Sequence, residues 1–142
     1  MTVITRFGTG KVAQHLPPLI RALKRAGRKV VWSCDPMHGN TATVDGGIKT
    51  RDFKDIEAEF KSAYEIHRAE GSVLAGVHFE LTGDSVTECI GGAEGLSSAD
   101  LTRSYETGCD PRLNYTQSLE MAFLISNLLS THKHPTPVPP VW

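Results

Sequence analysis

Four side chains in this 142-residue chain are of the types that hold a divalent metal and an anionic group beside it: Arg6, His38, Glu80 and Asp110. A histidine and two carboxylates form a donor set suited to a divalent ion, Mn²⁺, Fe²⁺ or Zn²⁺ by ligand type. An arginine beside such a set suits a carboxylate or phosphate on a substrate. Each residue also has a plainer reading. A histidine in a Gly/Asn loop is commonly a solvated side chain, Asp110 before Pro111 can serve as a turn residue, and Arg6 can be an ordinary salt-bridge former. Glu80 has the stronger case, because a carboxylate ending a core strand needs a cation or a metal as partner. Types and spacing alone leave both readings open.

What must position these residues is an alternation of strand and helix. Val3-Ile4-Thr5-Arg6 is strand-like and ends on the arginine. Leu16, Leu19, Ile20 and Leu23 then recur at helical spacing, with Pro17 and Pro18 expected in the first turn and Gly27 as the stop. Lys29 to Ser33 reads as a buried second strand, with Trp32 as packing. It runs into the loop Cys34-Asp35-Pro36-Met37-His38-Gly39-Asn40-Thr41 and on through Gly46-Gly47. Phe53, Ile56, Phe60, Tyr64 and His67 form the stripe of a second helix, closed by Gly71. A third strand, about Leu74 to Leu81, alternates Val77, Phe79 and Leu81 with Gly76, His78 and Glu80. His78 thus shares the face of Glu80, as a hydrogen-bonded neighbour of the site or as a further ligand. A short helix should open at Ser97 or Ser98, and a last one, about Thr116 to Ser130, is apolar almost all round and is predicted to be buried. This order predicts an α/β fold: a parallel sheet flanked by helices, with right-handed crossovers. Parallel strands put the strand ends, and with them Arg6, His38 and Glu80, on one rim, with Asp110 just before the last helix.

Composition excludes several classes. With 15 basic and 16 acidic residues the charge is balanced, so no nucleic-acid partner is indicated. The basic residues Arg21, Lys24, Arg25, Arg28 and Lys29 gather where the first helix ends, which the helix dipole favours. Cys34, Cys89 and Cys109 are odd in number and far apart, so neither a disulfide framework nor a zinc ribbon is expected. The start lacks signal-peptide architecture and no apolar run approaches the ~20 residues of a membrane span. The expectation is a soluble, cytoplasmic protein. Residues 1–133 read as one domain and residues 134–142 as a proline-rich, extended tail.

Several ordered segments carry a more specific likeness. The octapeptide Cys34 to Thr41 resembles the signature of class II (plant-type) 3-deoxy-D-arabino-heptulosonate 7-phosphate (DAHP) synthases. Gly47-Ile48-Lys49-Thr50-Arg51, Gly76 to Gly83, Val86 to Gly92 and Tyr105 to Asn114 are similar to further motifs of that family, in order, as are Ile4-Thr5-Arg6-Phe7-Gly8 and Leu16-Pro17-Pro18. The likeness runs from about residue 2 to about residue 131. It implies that His38, Glu80 and Asp110 bind the catalytic divalent metal, Mn²⁺ before Co²⁺, Fe²⁺ or Zn²⁺, and that Arg6 helps bind phosphoenolpyruvate. The metal would act as a Lewis acid on an aldehyde carbonyl attacked by an enol carbon. Lys49 and Arg51 lie in a matching motif and are expected with Arg6 and His38 in catalysis, and with Arg6 and Arg112 on a substrate anion. Capping of the next helix is the plainer role for Lys49 and Arg51, and pairing with Asp110 the plainer role for Arg112.

The likeness covers only what resemble the last three of eight βα units of the family's (β/α)8 (TIM) barrel. Absent are the cysteine that is the family's fourth metal ligand, the lysine and further arginines around phosphoenolpyruvate, and the segment holding the sugar phosphate. Cys34, Cys109 or a water could complete the metal set. A three-stranded open sheet leaves two bare edges, so completion by a homo-oligomer or by a partner chain is expected. The chain's own Met1 and its tail suggest a self-standing gene product. Three functions follow. The leading one is a metal-dependent, DAHP synthase-like aldolase or transferase acting on a small keto acid or carbonyl compound, in shikimate-linked (aromatic amino acid) or specialised metabolism. The others are the C-terminal part of a split synthase and a non-catalytic metabolite-binding or regulatory relative.

Overall fold

Eight regular elements follow one another in the computed structural model, which describes residues 1–131. They are β1 (Thr2–Thr5), α1 (Val12–Arg25), β2 (Val31–Cys34), β3 (Thr41–Thr43), β4 (Lys49–Arg51), α2 (Phe53–Ala69), β5 (Leu74–Val77) and α3 (Tyr115–Thr131). Short 3-10 turns occupy His38–Asn40, Asp45–Gly47 and Ser98–Arg103. The last of these opens on a capping box between Ser97 and Asp100. The expected tail, residues 134–142, lies outside the described residues.

β1, β2 and β5 pair in parallel in the order β1-β2-β5, giving the expected α/β fold with a parallel sheet flanked by helices. Thr5 is in register with Cys34, and Cys34 with Val77, so the three strands end in line. Val12, Leu16 and Ile20 of α1 and Ile56, Phe60 and Ala63 of α2 are buried against Trp32 and Cys34 on one face of the sheet. Their spacing is the apolar stripe of each helix, and its burial is the main stabilising term. α1 and α2 end where Gly27 (φ +62°) and Gly71 (φ +61°) take the left-handed conformation.

Four sequence expectations need correction. First, α1 begins at Val12, so Pro17 and Pro18 lie in its second turn rather than its first. The carbonyls they leave unpaired, those of Ala13 and Gln14, belong to exposed residues and can be hydrated. Second, the third strand ends at Val77, not Leu81. β2 turns away at Asp35-Pro36, so its pairing with β5 stops once His78 N–H has donated to the Cys34 carbonyl (2.8 Å). Third, β3 and β4 form an antiparallel hairpin inside what reads as a long loop. Fourth, α3 is not buried. Gln117 and Met121 are its buried residues, whereas Phe123 is 66% and Leu129 55% exposed. The sheet likewise leaves β1 and β5 without outer partners among the described residues, with Ile4 and Val31 half exposed.

Candidate metal centre

The common end of the three strands gathers the side chains singled out above. The turn after β2 opens with Asp35, 4% exposed, whose Oδ1 accepts the backbone N–H groups of Met37 (3.0 Å) and His38 (3.1 Å). Its Oδ2 lies 2.7 Å from His38 Nδ1. That contact orients the ring and turns His38 Nε2 toward Glu80 and Asp110. Glu80 Oε1 is 3.5 Å and Asp110 Oδ2 4.0 Å from that Nε2. The three ligand atoms all lie within 4.8 Å of one another. Donors on one transition-metal ion at about 2.1 Å lie roughly 3–4 Å apart, so this nitrogen-and-two-oxygen set fits a divalent ion.

Both carboxylates are held by cations. Arg51, at the end of β4, is fully buried; its guanidinium donates to Glu80 Oε2 (2.5 Å), to the Pro111 carbonyl and, through Nε, to Thr41 Oγ1 (2.9 Å). Arg51 thus stands as a strut beneath Glu80, with its Nη2 buried and without a hydrogen-bond partner among the described residues. Lys49, exposed, places Nζ 3.0 Å from Asp110 Oδ1. That contact draws the Asp110 carboxyl below the usual carboxylate range and raises Lys49.

Asp110 reaches the site because residues 109–113 run beside the segment after β5. Leu113 N–H donates to the Glu80 carbonyl (2.9 Å) and Thr82 N–H to the Leu113 carbonyl (2.9 Å). Glu88, wholly buried, secures the loop between. It accepts the backbone N–H groups of Thr107 (2.9 Å) and Arg112 (2.8 Å) and pairs with the Arg112 guanidinium through Nε (3.0 Å) and Nη2 (2.7 Å). Burial pushes its carboxyl up, but the Arg112 and backbone hydrogen bonds outweigh that and hold it below the usual range. Arg112 is therefore paired with Glu88 rather than with Asp110.

Arg6 follows Thr5, whose carbonyl accepts Asp35 N–H (2.8 Å), so it stands on the same rim, exposed and without a side-chain partner among the described residues. His78 tilts toward His38 at a centroid separation of 6.0 Å and forms a second donor group with Asp35 and His38. Neither Cys34 nor Cys109 joins these groups. Burial, then the nearby Glu59 and Asp35 charges, pushes the Cys34 thiol far up; burial raises Cys89 to about 12. Cys109 is exposed. Sequence reasoning gave no role to Asp35 or Glu88. Asp35 was signalled by its position before a proline and three residues before His38, an Asx-turn pattern. Glu88 carried no local signal.

Comparison with known proteins assigns the chain to a family. The profile of the class-II DAHP synthetase family matches residues 1–126. The chain belongs to that family. A phospho-2-dehydro-3-deoxyheptonate aldolase of Neurospora crassa is 54% identical over 129 residues, covering 89% of this chain and 27% of that protein. The protein of that name, AroG, from Mycolicibacterium smegmatis is 50% identical over 129 residues, covering 91% of this chain and 28% of its own length. One from Streptomyces coelicolor is 46% identical over 128 residues, covering 90% and 28%. The chain thus spans between a quarter and a third of the curated relatives it matches. Among the described residues no helix is long and apolar enough to cross a membrane.

Proposed function

We propose that this chain carries the metal-binding part of a DAHP synthase-like, aldol-type centre acting on a small keto acid or carbonyl compound in the cytoplasm, with Mn²⁺ held by His38, Glu80 and Asp110. The observation that supports it most is the convergence of those three donors from three separate segments, each with its own support. His38 is oriented by Asp35, Glu80 by Arg51, and Asp110 by Lys49 and the loop that Glu88 secures. When bound, the ion supplies Lewis acidity toward a carbonyl oxygen. Arg6, a cation on the same rim without a side-chain partner among the described residues, would hold the carboxylate or phosphate of the enol partner. Lys49 holds Asp110 Oδ1 and leaves Oδ2 to the ion, and its exposed ammonium stands beside the site, where it would meet a substrate anion. Orientation of two substrates on one rim is a further contribution such a site would make.

A second reading, a subunit of a split synthase, is favoured by the edges of β1 and β5, unpaired among the described residues, and by the exposed Phe123 and Leu129. Both readings require the partial barrel to be completed, by copies of this chain in the first and by a chain carrying the other strands in the second. The test is Mn²⁺ titration of the purified protein beside His38→Ala and Glu80→Ala, with mass by light scattering. About one ion per chain, lost in both variants while the helical signal persists, is expected. A folded wild-type protein that takes up no Mn²⁺ would refute the metal reading. A monomer that binds Mn²⁺ would point to the split synthase.

A further inference from the structure

The His38 and Arg6 loops meet at a buried carboxylate that the site chemistry does not use. Glu59, on α2, is 1% exposed. Its Oε1 accepts the backbone N–H groups of Phe7 (2.9 Å) and Gly8 (3.0 Å), directly after Arg6. Its Oε2 accepts Asn40 Nδ2–H (2.7 Å), two residues after His38. Asn40 closes the link, because its Oδ1 accepts Thr9 N–H (2.9 Å) and its Nδ2 donates to the Pro36 carbonyl (2.9 Å). The two loops also touch through bare backbone: a Cβ on Gly39 would lie 2.4 Å from Gly8 N. No lysine or arginine pairs with Glu59 among the described residues.

A carboxylate buried without a cation costs several kcal/mol of desolvation, and burial indeed pushes this one above the usual range. An aliphatic residue would avoid that cost but would leave the Phe7 and Gly8 N–H groups and the Asn40 amide without this acceptor. What the carboxylate adds is geometric: three fixed acceptor contacts that bind one loop to the other and both to α2.

We infer that Glu59 is a positioning residue that sets the Arg6 loop against the His38 loop, and so holds the anion-binding and metal-binding halves of the site in register. This deepens the metal-centre reading above and rests on it for its function, though not for its geometry. Glu59→Gln isolates the effect. The amide oxygen can still accept from Phe7 and Gly8, but its NH₂ faces the NH₂ of Asn40, two donors head on. The Asn40 arm is lost, and the turn holding His38 is released from the frame.

The experiment compares wild type, Glu59→Gln and Glu59→Ala by three readouts at a temperature where all are folded: circular dichroism, amide hydrogen exchange and Mn²⁺ titration. Glu59→Gln should keep its helical signal, lose amide protection at residues 36–41 more than at 6–10, and bind Mn²⁺ about tenfold or more weakly. Glu59→Ala should lose protection in both loops. A lowered unfolding midpoint with loop protection and Mn²⁺ affinity unchanged would show a merely structural residue and overturn the inference. If the wild type takes up no Mn²⁺, the metal reading fails by itself and exchange decides: protection lost in both loops of Glu59→Ala upholds the coupling, and unchanged protection overturns it. Should Glu59→Ala not fold, the isosteric Glu59→Gln is judged by the same exchange criterion.

Discussion

Replacing His67 by phenylalanine should flatten the acid side of the stability curve. His67 ends the buried stripe of α2, 1% exposed, with its ring 5.1 Å from that of Trp32. Nδ1 lies 3.1 Å from Ser72 Oγ, and Nε2 is buried with no partner among the described residues. Its place in the last helical turn favours the charged form, but that effect is worth at most about 1 to 2 kcal/mol. Burial wins and pushes the pKa down from 6.5 to about 4. The unfolded chain therefore takes up the proton first as pH falls. Stability is whole above about pH 6.5 and is lost progressively down to about pH 4. Linkage between those two values gives a loss of about 2 kcal/mol at pH 5 and about 3 kcal/mol at pH 4. Urea unfolding at pH 7.5 and pH 5.0 measures it. Wild type should lose about 2 kcal/mol more than His67→Phe over that interval. Equal losses would show that His67 is protonated in the folded protein, and the burial argument would fail.

Two further outcomes follow from the site. Asp35→Asn removes the acceptor that orients His38 Nδ1, and Mn²⁺ affinity should fall about 10- to 100-fold while the fold persists, by calorimetric titration. Glu88→Gln leaves the Arg112 guanidinium without its counter-charge at a fully buried position and should destabilise the protein by about 2–3 kcal/mol in urea unfolding; Arg112 is partly exposed, which limits the loss. Because the Glu88 carboxyl is held below its unfolded value, wild type also loses this contribution as pH falls through the carboxylate range, and the variant should not.

Much of the frame is legible in the residues. The stripes in α1 and α2, the stops at Gly27 and Gly71, and the β-branched runs each encode an element locally, because the period of burial is written into the period of apolar residues. The alternation of strand and helix then leaves a parallel sheet as the natural arrangement, and with it a shared rim for Arg6, His38 and Glu80. The elements misread are those whose limits depend on a neighbour. β5 ends early because β2 turns away at Pro36. The β3–β4 hairpin exists because Thr41–Thr43 finds Lys49–Arg51 across a short turn. α3 carries enough apolar surface to be buried, yet what would cover it is not within residues 1–131.

The sequence by itself determined which residue types follow each strand and along which rim they stand, since residue type and the alternation of strand and helix are one-dimensional facts. The tertiary structure decided which of the cations are spent. Arg51 and Arg112 read alike with Lys49 as candidate anion binders, but two of these three are consumed internally, on Glu80 and Glu88, and the third rests on Asp110. Those pairings join residues 29, 24 and 61 positions apart. No local pattern records them, because a buried charge takes whichever opposite charge the packed chain brings within reach.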